Sequence, residues 1–319
     1  MPINKQFFRW ICIMVFLLCP SLYVMGQDIL PPARMAHVSL SAPIERTVRT
    51  TLPLKPVTIG NSMPSCFQGT KPNCLIDSHE LYPFFDSLMR GERPVRILHL
   101  GDSHVRGHIF TVQTRHALEE VWGSEAVLPD SINYRTSALA VETGVPGLVY
   151  HAMGINGATT SHFFQPDKLE QIVALNPDLI ILSFGTNESH GRNYQSDEHW
   201  AQMDTLTSAI HAHLPTAKIL MTTPPGSYIR IRRRGRRVIN TKTQDVVQNI
   251  LAFAHQKGFP VWDMYNIVGG KRACQNWVSS GYMQRDRVHY THNGYALQGQ
   301  LLAEAMIKAF NDYVADRLE

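Results

Sequence analysis

Four short segments carry side chains suited to acyl transfer: Gly101-Asp102-Ser103-His104, Gly154-Ile-Asn-Gly157, Gly185-Thr-Asn187-Glu188 and Asp286-Arg-Val-His289-Tyr-Thr-His292. A serine hydroxyl attacks a carbonyl only when a base takes its proton and a third group orients that base. Ser103 offers the hydroxyl and His289 the base. Asp286, three residues earlier, can reach back from the same turn and fix the imidazole tautomer. The oxyanion that develops needs fixed donors. The Ser103 N–H, the Gly157 N–H and the Asn187 side-chain amide are the candidates, and Gly157 also permits close backbone approach. His292 is a second imidazole in the last segment, but the Asp-x-x-His spacing favours His289 as base. The pairs His289/His292 and His211/His213 lack a carboxylate ligand set or an HExxH, so neither a metal nor any other cofactor is expected.

Such side chains need a frame that brings them to one edge. Val95–Leu100 reads as a short buried strand running straight into Gly101, with His99 as a core histidine. Leu148–Met153 is a weaker strand leading into Gly154. Leu179–Phe184 is the clearest buried strand, and Ile219–Thr222 and Pro260–Asp263 are shorter ones. Helical spacing runs from Ser78 through Leu88, then over Phe110–Trp122, Leu169–Leu175, 198–213, Val246–His255 and Gly294–Tyr313. Strands alternating with helices predict an α/β fold with a mostly parallel sheet covered on both faces. In such sheets, ligands bind where the strands end. Each of the first three segments follows a strand, and the fourth precedes the last helix. All four should therefore meet.

The ordered set of Gly-Asp-Ser, block-two Gly, Gly-x-Asn and Asp-x-x-His resembles the SGNH hydrolase (GDSL esterase/lipase) superfamily over residues 95–313. The resemblance implies a flavodoxin-like α/β/α sandwich with a five-stranded sheet. It also implies Ser103 as nucleophile, Asp286 and His289 completing the triad, and Ser103, Gly157 and Asn187 as oxyanion donors. The sequence departs from the family in three places: His104 stands where Leu is usual, Glu188 where Asp is common, and Tyr290 where Pro is frequent. No Gly-x-Ser-x-Gly elbow occurs. Thr-Thr-Pro-Pro at 222–225, the arginines that follow, Gly269-Gly270 and Val-His-Tyr-Thr are similar to a Bacteroidetes-type branch related to peptidoglycan O-acetylesterases. Only 53 residues separate Ser103 from Gly157, too few for the carbohydrate-binding insert some of that branch carry. The activity implied is a serine esterase releasing acetyl from a glycan. The alternatives are a glycan O-acetyltransferase, an acylhydrolase on longer chains, or a non-catalytic glycan-binding envelope protein.

The remainder of the chain bounds where this chemistry takes place. Lys5 and Arg9 precede the apolar run Trp10–Leu18, with Val24-Met-Gly26 as a small-residue exit, so residues 1–26 read as a secretory signal. The alternatives are an uncleaved membrane anchor and a lipoprotein processed at Cys19. Residues 27–76, rich in Pro, Ser and Thr, read as an extended arm, and 77–319 as the hydrolase domain. The chain is expected to be exported, whether periplasmic, associated with the outer membrane or secreted. Cys66 and Cys74 are close enough for a local staple, the alternative being three unpaired thiols with Cys274. The formal charge of +4 misleads, because six arginines fall within residues 230–237. Without them and the first 26 residues, 22 basic face 26 acidic residues. Arg230, Arg232, Arg233 and Arg234 are candidate substrate-binding residues for an anionic glycan. The competing readings are a solvated flank and contact with lipid head groups. Too few aromatics accompany them for nucleic acid. His104 and Glu188 are further candidates to line the site, His104 otherwise packing at its helix start, and His190 either rims the site or lies exposed.

Overall fold

The computed structural model describes residues 55–67, 71–128, 137–231 and 235–319. Residues 1–54 and Arg232, Arg233 and Arg234 therefore lie outside the described residues.

Apolar runs with β-branched residues form the strands β1 (Pro94–Gly101), β2 (Ser137–Ala138), β3 (Gly147–Gly154), β4 (Leu179–Ser183), β5 (Lys218–Thr222), β6 (Tyr228–Arg230), β7 (Arg237–Ile239) and β8 (Val261–Trp262). The main sheet has the order β2-β3-β1-β4-β5-β8, and every pairing is parallel except β2 with β3. The expectation of five strands thus needs one correction. Ser137 and Ala138 add a sixth, antiparallel edge, too short to leave a periodic trace. A second correction concerns the arginine run: β6 and β7 pair as an antiparallel ribbon, so part of it is a hairpin and not a plain loop.

Side chains alternate across the sheet with the period of two that strands impose. Val95, Ile97, Leu148, Tyr150, Leu179, Ile181 and Leu220 face one core, and Leu98, Leu100, Met153, Ile180, Leu182, Ile219 and Met221 face the other. The first core is closed by α1 (Tyr82–Arg90), α3 (Ile109–Trp122) and α10 (His292–Leu318). The second is closed by α4 (Pro166–Leu175), α6 (Ser196–His213) and α7 (Lys242–Lys257). Each fully buried aliphatic or aromatic side chain contributes about 1.5–3 kcal/mol of transfer free energy. Short helices follow individual strands: α2 (Ser103–Arg106) after β1 and α5 (Thr186–His190) after β4. α8 (Met264–Ile267) follows β8, and α9 (Ala273–Ser279) comes next in the chain.

His99 sits inside β1, fully buried, between Tyr150 Oη at 2.7 Å and Ser183 Oγ at 2.6 Å, and Thr222 Oγ1 donates to Ser183 Oγ at 2.9 Å. Burial pushes its imidazole down to about 3, so it stays neutral. The described part of the arm runs back over the helices. Val57 exchanges two hydrogen bonds with the side chain of Asn311, Asn73 Nδ2 donates to Leu301 O, and the Phe67 ring packs at a tilt against Trp277. Cys66, Cys74 and Cys274 are all free thiols, so the staple between the first two does not form. Among the described residues, no helix is long and apolar enough to cross a membrane.

Candidate active site

The end of β1 delivers Ser103 through a very tight packing of strand on helix. A Cβ on Gly154, at the end of neighbouring β3, would lie 2.2 Å from the Arg106 backbone nitrogen. Only glycine lets α2 approach the sheet this closely. Asp102 caps α2, with the His104 N–H donating to its Oδ1 at 2.8 Å. Ser103 is thereby fixed at the first position of the helix.

His289 arrives from a closed turn. The Gln284 N–H donates to His289 O at 2.8 Å, and Gln284 Nε2 donates to Tyr290 O at 2.8 Å. Tyr290, the residue where Pro is frequent, is fully buried against Trp277, and its hydroxyl donates to Gly226 O at 2.9 Å. It pins the chain immediately after the imidazole. Thr291 then caps α10.

These two supports bring Ser103 Oγ to 2.9 Å from His289 Nε2, while His289 Nδ1 lies 2.7 Å from Asp286 Oδ2. A proton on Nδ1 facing the carboxylate leaves Nε2 as acceptor, so the serine hydroxyl donates. Asp286 Oδ1 also accepts from the Val288 and His289 N–H groups at 3.0 Å each. Partial burial pushes its carboxyl up. The hydrogen bonds from the His289 ring and the two amides outweigh this, and its pKa falls below the usual carboxylate value. The His289 and Asp286 side chains are 36% and 43% exposed, so the arrangement opens to solvent. His292 lies on the exposed first turn of α10.

The expected oxyanion donors differ among themselves. Gly157 holds φ at +74°, the left-handed region that favours glycine, and space around it is open. Among the described residues, neither the Gly157 nor the Ser103 N–H donates to another protein group. Asn187 is already engaged: Nδ2 donates to Ala158 O at 2.8 Å and to Asp102 Oδ2 at 3.1 Å. Asp102 is thus joined to Asn187, a link that the Gly-Asp-Ser and Gly-x-Asn segments did not suggest separately.

His104 and Glu188 do not face an incoming ligand. Glu188 Oε1 accepts from the Thr160 N–H and hydroxyl, and Oε2 from the Gly185 N–H, so it clips the loops after β3 and β4 together. His104 is buried, with Nδ1 2.9 Å from Tyr295 Oη and its ring 5.4 Å from that of His289. His190 Nε2 meets Ser227 Oγ at 2.9 Å, which ties the β4 loop to the hairpin. Burial and the nearby His289 hold its pKa down. Arg230 stands exposed on that hairpin. The sequence reading overlooked Lys271, Arg285 and Arg287, which share a groove with Arg230. The tripeptide Arg285-Asp286-Arg287 was the available signal.

A parallel α/β/α sandwich with a serine, a histidine and an aspartate aligned at its strand ends defines an SGNH-type hydrolase. The GDSL-like lipase/acylhydrolase family profile matches residues 100–297, and the chain belongs to that family. It is accordingly a carboxylic ester hydrolase. A solved peptidoglycan O-acetylesterase shares the fold at 20% identity and TM-score 0.63, over 75% of this chain and 99% of that one. A GDSL-like lipase from Bacteroides thetaiotaomicron aligns at 19% identity and TM-score 0.45, over 73% and 100%. An acetyl xylan esterase aligns at 15% and 0.48, over 65% and 98%. No curated protein matches by sequence.

Proposed function

We propose that the chain removes short acyl groups, acetyl above all, from an O-acylated carbohydrate of the bacterial envelope, peptidoglycan being the leading candidate. The observation that carries this reading is the unbroken Ser103–His289–Asp286 line of hydrogen bonds. Ser103 Oγ attacks the ester carbonyl as its proton passes to His289 Nε2, and Asp286 holds the imidazolium that forms. The Ser103 and Gly157 N–H groups receive the oxyanion. Asn187 joins them by turning from its longer contact, that to Asp102. His289 then returns the proton to the sugar oxygen as the C–O bond breaks. Water, deprotonated by the same imidazole, releases acetate and restores Ser103.

One feature supports a short acyl group. Among the described residues, the exposed large apolar side chains lie outside the four loops. The apolar run ahead of Gln27 supports export to the envelope, where such esters occur. Acetate release from acetylated glycans tests the reading: Ser103→Ala should lower it by at least about 10³-fold. An unchanged rate would remove Ser103 as nucleophile.

A further inference from the structure

Beside the candidate triad runs an open groove with a volume of about 1330 Å³. That exceeds the ~300–1,000 Å³ of a typical small-molecule site. One wall is the β6–β7 hairpin, bearing Arg230, Arg236 and Arg237. The other is the 283–287 segment with Arg285 and Arg287, and Lys271 contributes between them. Among the described residues, the lining contains no acidic side chain and none of these six cations forms an ion pair.

The walls are fastened to each other and to the site. The Tyr228 N–H donates to Arg287 O at 2.9 Å, and Arg237 donates from its guanidinium to Arg285 O. The Arg287 guanidinium lies over the Tyr228 ring at 5.2 Å from its centre. Asp286 lies between Arg285 and Arg287 in the chain, so this wall adjoins the turn that carries the triad carboxylate.

We propose that this groove binds a carboxylate-bearing polysaccharide and presents its ester groups to Ser103. The inference rests on the esterase reading above and names the charge class of its substrate. Uncompensated arginines concentrate positive potential, and the guanidinium fork matches carboxylates in pairs. Gln275, Gln284 and Thr241 lie among the cations and suit sugar hydroxyls. Single-stranded nucleic acid would need an exposed aromatic platform for its bases. Tyr228 is 8% exposed and already covered by Arg287.

Binding is measured on the full chain carrying Ser103→Ala, with polygalacturonate as probe and dextran, polyphosphate and duplex DNA as comparisons. The expected result is salt-sensitive binding of polygalacturonate, no binding of dextran, and weaker binding of the other two polyanions. Arg230→Gln combined with Arg236→Gln and Arg285→Gln should weaken polygalacturonate binding by about 10-fold or more. The salt titration needs no groove variant and still decides the matter if that triple variant folds poorly. Absence of polygalacturonate binding, insensitivity to salt, or equal affinity for DNA or polyphosphate would overturn the proposal. So would wild-type affinity in the folded triple variant. Because the test uses an inactive chain, its failure leaves the esterase reading untouched. That reading is judged separately by ester turnover of the unmutated chain.

Discussion

Two Asp–His turns lie side by side at the sheet edge, their imidazoles 5.4 Å apart, and they are electrostatic opposites. In Asp102-Ser103-His104 both ionisable side chains are buried. Burial pushes the Asp102 carboxyl up to about 8 and the His104 imidazole down to about 3, each toward its neutral form. In Asp286…His289 the side chains are part exposed, and hydrogen bonds hold the carboxyl ionised. The same residue types therefore serve different ends. Desolvation makes one pair a structural brace, while exposure leaves the other able to carry the proton that the proposed mechanism requires. At Asp102 two influences conflict. Burial favours the acid, yet the His104 N–H and Asn187 Nδ2 both donate to its oxygens, and they favour the carboxylate. The donors limit how far the upward shift runs without reversing its direction.

The sharpest way to break this comparison is to remove the exposed imidazole. His289→Ala should lower kcat for p-nitrophenyl acetate by at least about 10³-fold. Adding Ser103→Ala should cost little more, since the two act as a unit. A double variant much slower than either single one would show that the exposed turn is not one relay.

Asn187 ties the buried turn to the loop after β3, through Asp102 on one side and Ala158 O on the other, and is the side-chain oxyanion donor of the proposed mechanism. Asn187→Ala should lower kcat about 10²–10³-fold with a smaller change in KM, as for loss of one fixed oxyanion donor. A loss confined to thermal stability would make Asn187 part of the brace alone.

The exposed turn was legible in the sequence because its parts are local. Asp286 and His289 are three residues apart, and each glycine-led loop follows an apolar strand. What escaped depends on distant chain segments. The sequence could not tell whether His104 faces outward or inward, because Tyr295, which takes its Nδ1, is nearly two hundred residues away. Glu188 read as a site residue, since the loop amides it clips carry no side-chain signature. The hairpin was hidden because strands of three residues cannot establish a period, and arginines mask Ile229 and Ile239. The opposite wall of the groove comes from segments some forty to fifty residues further along the chain.

A smaller effect separates the two carboxyls by pH. Asp102 has its folded pKa raised above that of the unfolded chain, so the folded state binds the extra proton. Its contribution to stability is complete below about pH 4 and is lost as pH rises toward about 8. Asp286, with its folded pKa lowered, contributes above the unfolded value and loses that contribution as pH falls through the folded one. Chemical denaturation between pH 5 and 8 should therefore show Asp102→Asn flattening the alkaline decline. Asp286→Asn should leave that decline in place. Identical profiles for wild type and Asp102→Asn would mean that the two donors keep Asp102 ionised throughout, and the contrast between the turns would rest on exposure alone.

The smallest effect belongs to the ring that lies nearest the proton carrier without bonding to it. His104 is kept neutral by burial, its Nε2 has no hydrogen-bond partner among the described residues, and its Nδ1 is bonded to Tyr295 Oη. Leucine, the residue usual at this position in the family, is close in volume. It relieves the unpartnered nitrogen while giving up one hydrogen bond of about 1 kcal/mol. These terms oppose each other, so His104→Leu should shift unfolding free energy by no more than about 1 kcal/mol and kcat by less than about 10-fold. The pH–rate profile should keep its shape, because a ring held neutral by burial neither supplies nor takes a proton. A kcat loss beyond about 100-fold, or a displaced acid limb in that profile, would mean that the buried turn tunes the exposed one through the 5.4 Å ring contact. In that case the two turns would be a single coupled device, and the histidine at 104 a positioning residue.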